Sequence, residues 1–191
     1  FRHFILGAVA IFLYVGVEVG IPNFVNLFLS TPVDAVDSVP GLGYEAALAG
    51  SICGTYWFLM LIGRLTGASL GAKFSSKSML TFVSSLGILL ILLAIFLPLS
   101  TTVNMPVFKS DISFGLAEVP IGIMLMILCG LCTSVMWGNI FNLAVEGLGK
   151  YTAAASGIFM VMVCGGGVLP LIQGAVADGF GYLASFWVII V

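Results

Sequence analysis

The stretch FILGAVAIFLYVGVEVGIPNFVNLFLS, residues 4–30, decides how this chain folds. It is apolar for long enough to cross a bilayer, which takes about 20 residues of helix. From Phe4 to Val33 its only charge is Glu18. A carboxylate in the middle of a spanning helix costs roughly 2.5–3.5 kcal/mol on insertion scales, so by default it marks an ion or substrate path.

The rest of the sequence has the same character. Of its 191 residues 61% are hydrophobic and 7% charged, with a mean hydropathy of +1.24. Soluble domains carry about 25% charged residues, so the solvent for most of this chain is lipid. Six apolar segments can be drawn, at about 4–30, 44–70, 78–99, 119–145, 152–176 and 182–191, the last too short to cross. The expectation is an all-α polytopic helix bundle. Turn and breaker residues fill the links: Pro32, Asp34, Asp37, Pro40 and Gly41 in the first, and a polar loop holding Pro106 from Ser100 to Glu118. The chain starts at Phe1-Arg2-His3 and stops inside an apolar run, which reads as a fragment.

The few charges alternate by side. Arg2, Arg64, Lys73, Lys77 and Lys150 fall at one set of segment ends; Asp34, Asp37, Glu45, Asp111 and Glu118, with Lys109, fall at the other. The positive-inside rule makes the first set cytoplasmic and places residue 1 there, in a cell inner membrane. The first and fourth segments both carry mid-membrane polar residues, and the second and fifth both carry glycine clusters. Two inverted triples of helices would leave that rhyme.

Four constellations could carry chemistry. In the first segment Tyr14 and Glu18 share a face, Asn26 lies within about a quarter turn of it, and Pro22 frees the carbonyl of Glu18. A carboxylate, a carbonyl, an amide and a phenol together suit a polyol such as a sugar; a structural glutamate bonded to a neighbouring helix is the plainer alternative. In the fourth segment Asn139 and Asn142 share a face and Trp137 projects from nearly the opposite one, so only one of these faces is expected to line a cavity. Amides bond hydroxyls in both directions and indoles stack on sugar faces; against that, amides also bridge helices in membranes.

Gly63-Arg64-Leu-Thr-Gly67, preceded by Gly50 and Gly54 and followed by Gly71, allows close helix approach and a gating hinge. Arg64 could reach headgroups, a carboxylate or helix-end carbonyls. Gly165, Gly166 and Gly167 with Pro170 must bend or loosen the fifth helix, with Gln173 and Asp178 beyond. The cysteines Cys53, Cys129, Cys132 and Cys164 sit in apolar segments as small hydrophobes. With His3 the lone histidine, there is little material for a catalytic pair or a metal site, and no basic patch for nucleic acid.

Taken in order, Tyr14-Val-Gly-Val-Glu18-Val, Gly63-Arg64-Leu-Thr-Gly67, Glu146-Gly-Leu-Gly149 and Gly165-Gly-Gly-Val-Leu-Pro170 with Ala177-Asp178 resemble the second half of the fucose:proton symporter family, which includes glucose/galactose permeases of the major facilitator superfamily. The resemblance implies a twelve-helix transporter of which this chain holds the C-terminal half, rocking against a missing N-terminal half with sugar between them. It implies that the first and fourth helices line the central cavity and that Gly63, Arg64 and Gly67 belong to a cytoplasmic loop signature. The family commonly has Phe-Pro-Thr where this chain has Trp137-Gly138-Asn139, and its proton-coupling carboxylates are largely in the other half. The expected function is proton-coupled uptake of a hexose or deoxyhexose, with sugar hydroxyls held by Glu18, Asn139 and Asn142 against a wall of Tyr14 or Trp137, and no cofactor. A non-transporting sensor or assembly subunit of the same fold is the rival; an intramembrane enzyme lacks partners for Glu18.

Overall fold

The computed structural model describes residues 2–35, 39–109 and 111–191, so Asp37 of the acidic set lies outside the described residues. Its long helices are α1 (Arg2–Ser30), α2 (Ala46–Gly71), α3 (Ser76–Phe96) and α4 (Ile121–Val145). A fifth crossing, Gly149–Phe180, consists of a 3-10 turn and two helices, α5 (Thr152–Met162) and α6 (Gly165–Phe180). All five are long and apolar enough to span a membrane. Large apolar side chains face outward, among them Leu6, Leu65, Phe82, Phe96 and Leu171, the reverse of a soluble protein.

α4 is the axis of the bundle, packed by α1, α2 and α3, while α6 lies along α1. Local chemistry sets the ends. The Ser75 hydroxyl accepts the Ser78 amide at 3.3 Å to start α3. α4 stops where Gly147 takes φ 73°, a conformation glycine reaches without strain. α1 continues unbroken past Pro22, whose carbonyl accepts the Cys53 thiol of α2 at 3.4 Å.

Three expectations need correction. The segment after α3 is not an irregular polar loop. It is an antiparallel hairpin of β1 (Thr102–Phe108) and β2 (Phe114–Pro120), in register from Thr102↔Pro120 to Phe108↔Phe114. Met105, Val107, Ala117 and Val119 point into the bundle, a period-two pattern with Pro106 and Glu118 at the outward positions between them. Near its tip the Phe108 amide donates to Thr55 at 2.9 Å and the Phe108 ring stacks on Phe58 at 5.0 Å, so the hairpin lies along α2.

The fifth helix breaks at Val163 and Cys164, before the glycines, and Pro170 lies inside α6. The reason is packing: a Cβ on Gly165 would strike the Phe12 carbonyl and one on Gly166 would press on Val15, so these two glycines are a contact surface on α1 where a new helix opens. The sixth segment is two short helices, α7 (Tyr182–Ser185) and α8 (Trp187–Ile190), because the chain turns at Gly181 with φ 98° and again at Phe186.

Apolar packing forms two clusters. One joins α2, α3, α4, the hairpin and the later half of α1; the other joins the start of α1, the end of α4 and Phe159 of α5. Polar side chains collect at the seam between them.

Candidate functional site

At that seam the hydroxyls of Tyr14 and Tyr56 meet on one residue of α4. Tyr14 donates to the Thr133 carbonyl at 3.0 Å, and the Tyr56 and Thr133 hydroxyls lie 3.0 Å apart. Burial leaves these groups no water, so they must bond each other. The Tyr14 O–H is therefore committed to the Thr133 carbonyl. Its ring instead supports Trp137, edge to face at 6.1 Å.

One turn along α1, Glu18 is not a lone carboxylate. Arg64 of α2 donates from Nη2 to Glu18 Oε1 at 3.1 Å, with 12% of the Glu18 side chain and 56% of the Arg64 side chain exposed. The same nitrogen lies 3.6 Å from the Met60 sulfur. Of the three partners open to Arg64, the carboxylate is the one realised. α2 also packs closely on α4, where Gly63 presses against Ser134 and Gly67 against Val135 and added Cβ atoms would clash.

Beyond the ion pair opens a cleft of about 700 Å³ between α2 and α4, closed at one side by Met79 of α3. Arg64, Gly67, Ala68 and Gly71 form one wall; Ser134, Trp137, Asn139 and Asn142 form the other. The expectation that Trp137 and the asparagines could not share a cavity is overturned. Gly138 puts no side chain between them, and the small residues of α2 leave the space continuous around α4. Asn139 is buried, its Nδ2 donating to the Val135 carbonyl at 2.8 Å, and Asn142 is exposed. A cation beside a carboxylate, with two carboxamides and an indole, can bind hydroxyls through both donors and acceptors.

Asn26 does not join this group: it lines a separate cleft with Asn23, Pro170 and Leu171. Of the glycines, Gly63, Gly67, Gly165 and Gly166 are helix contacts, and Gly167 faces open space. Sequence reading missed Tyr56. Its signal is the line Ile52, Tyr56, Met60, Gly63, Gly67, one buried face of α2 at helical spacing.

Comparisons with known proteins agree with this architecture. The chain is 31% identical over 186 residues to a glucose/galactose transporter of Brucella abortus, covering 97% of this chain and 39% of that protein. It is 24% identical to the L-fucose-proton symporter of Escherichia coli, over 96% of this chain and 36% of that one. A crystal structure of FucP, a Major Facilitator Superfamily transporter in the outward conformation, superposes with a TM-score of 0.72 at 23% identity, over 99% of this chain and 41% of that chain. No family model matches the chain. The chain thus spans about two-fifths of the length of the curated relatives it matches. Its fold is that of a major facilitator transporter, and the resemblance read from its motifs is borne out by relatives named as sugar transporters.

Proposed function

We propose that this multi-pass membrane chain, kin in sequence to glucose/galactose and fucose transporters, is the C-terminal six-helix half of a sugar permease. The observation that carries the reading is the α2–α4 cleft, where Arg64, Trp137, Asn139 and Asn142 converge beside the Glu18–Arg64 pair. Its substrate is a hexose or deoxyhexose, taken up with protons by alternating access of two halves. The chain is a carrier and not an enzyme, and it sits in a cell inner membrane with residue 1 on the cytoplasmic side.

Asn142 and the free oxygen of Asn139 bond sugar hydroxyls, and the Trp137 ring backs the sugar face. Glu18 is a sugar ligand first and a proton site second. Arg64 holds it between visits and supplies donors of its own. Because the pair ties α1 to α2, a sugar that competes for either partner loosens the tie, which gives binding a way to move helices.

The test is uptake of labelled hexose by vesicles holding the intact permease. Glu18→Gln and Asn139→Ala should each raise KM for uptake about tenfold, equivalent to about 1.4 kcal/mol. Unchanged uptake and unchanged sugar affinity in both would refute the site. Sugar binding with no uptake by the unaltered protein would assign the chain to a sensor instead.

A further inference from the structure

Tyr56 lies outside the α2–α4 cleft, yet its hydroxyl is built into the turn of α4 that leads to it. We infer that Tyr56 is a positioning residue for sugar binding: through Thr133 it fixes the face of α4 that carries Trp137 and Asn139. This rests on the sugar-permease reading and adds to it a residue that touches no sugar.

The groups concerned are enclosed by this chain itself. Tyr56 is 0%, Tyr14 2% and Thr133 3% exposed, so a further chain packed on the outside does not reach them. Their protons have one consistent arrangement. The Thr133 hydroxyl has the Cys129 and Gly130 carbonyls of its own helix at 3.1 and 3.3 Å, and donates its proton there. It therefore accepts from Tyr56 at 3.0 Å, and Tyr56, whose hydroxyl has that one partner among the described residues, donates. On the other side of the same residue, the Thr133 carbonyl accepts the Tyr14 hydroxyl from α1 at 3.0 Å. That carbonyl also stands four residues before Trp137, so within α4 it takes the Trp137 amide. One residue of α4 is thus held by α2 through its side chain and by α1 through its backbone.

Apolar packing alone can hold two helices together without fixing their rotation. Hydrogen bonds have direction, and a fully satisfied buried network selects one arrangement. Gly130 brings the backbones together just before Thr133, since a Cβ there would sit 2.6 Å from the Tyr56 carbonyl oxygen. Trp137 follows Thr133 by four residues on the same face, and its ring meets the Tyr14 ring edge to face at 6.1 Å. Asn139 comes two residues later, and both line the cleft opposite Arg64. A rotation of α4 that broke the Tyr56 bond would move both away from their places.

The test is hexose uptake by vesicles holding the intact permease, read as KM and kcat. Tyr56→Phe and Thr133→Val each remove one hydroxyl at nearly constant volume. KM belongs to each folded carrier and does not depend on how much of it is inserted. Tyr56→Phe should raise KM about fivefold with kcat held within about twofold, the split expected when binding alone is weakened. Thr133→Val should raise KM further, because it also strands the Tyr56 proton. Adding Tyr56→Phe to Thr133→Val should then raise KM no more, and Thr133→Ser, which keeps the hydroxyl, should restore it. Unchanged KM in Tyr56→Phe and Thr133→Val, with KM raised by Asn139→Ala, would overturn the positioning role and leave the permease reading standing. Effects that multiply in the double variant, or a Thr133→Ser as impaired as Thr133→Val, would overturn it too, since the two residues would not be acting through their shared bond. If Asn139→Ala also leaves KM unchanged, the cleft is not the sugar site and both readings fall.

Discussion

Arg64 uses one nitrogen on Glu18, lines the α2–α4 cleft and leaves more than half of its side chain exposed. Its guanidinium carries five N–H donors, so one bond leaves ample capacity for a ligand. Because more than half of the side chain is exposed, solvent screens the pair, and its coupling should resemble that of surface pairs. A double-mutant cycle with Glu18→Gln and Arg64→Gln, read by unfolding in detergent, should give about 0.5–1 kcal/mol. A coupling several times larger would mean the pair is dry when the protein is intact. Sugar affinity should fall in both single variants, since each removes a group proposed to touch hydroxyls.

At the scale of elements, glycine positions divide by what they face. A methyl on Gly63 would enter the space of Ser134, so Gly63→Ala should cost about 1–3 kcal/mol by forcing α2 from α4. Nothing lies within 4 Å of a Cβ on Gly50 of the same helix, and Gly50→Ala should be neutral or stabilise by up to about 1 kcal/mol through helix propensity. Thermal unfolding of the two variants side by side checks the contrast. The hairpin depends on aromatic contacts in the same way: Phe108 meets both Phe58 and Phe114. Phe108→Ala should lose about 1 kcal/mol from the ring pairs alone. It should appear as faster hydrogen exchange confined to β1 and β2, since local opening tracks local contacts.

For the whole molecule, the joint between α5 and α6 is where movement would be cheapest. The chain there is held by short-range bonds such as Cys164 N–H to the Val161 carbonyl at 3.1 Å, and Pro170 removes an amide from the next turn. Gly165 is pinned on Phe12, whereas Gly167 is open. If bending at this joint serves transport, Gly167→Ala combined with Pro170→Ala should slow sugar exchange several-fold while leaving sugar affinity unchanged. Equal exchange rates in both proteins would make the joint a fixed kink.

The sequence alone determined the solvent and, from it, the class of fold, since long apolar runs in lipid must close their backbone bonds within helices. It also pointed to Glu18, Arg64, Trp137, Asn139 and Asn142 as the polar exceptions. It could not show that Glu18 and Arg64 are partners, because they lie 46 residues apart on separate helices. The hairpin was illegible for a related reason: its two strands are stabilised by each other and by α2, and neither announces itself alone. Nor could it show where the Tyr14 hydroxyl goes, as a hydroxyl bonds whatever packing brings near, here the Thr133 carbonyl. Tertiary structure decided the pairings and the clefts, joining Trp137 to the asparagines and parting Asn26 from them. Helix periodicity tells which residues share a face; how close the next helix comes is set by residues on both, as Gly63 meets Ser134.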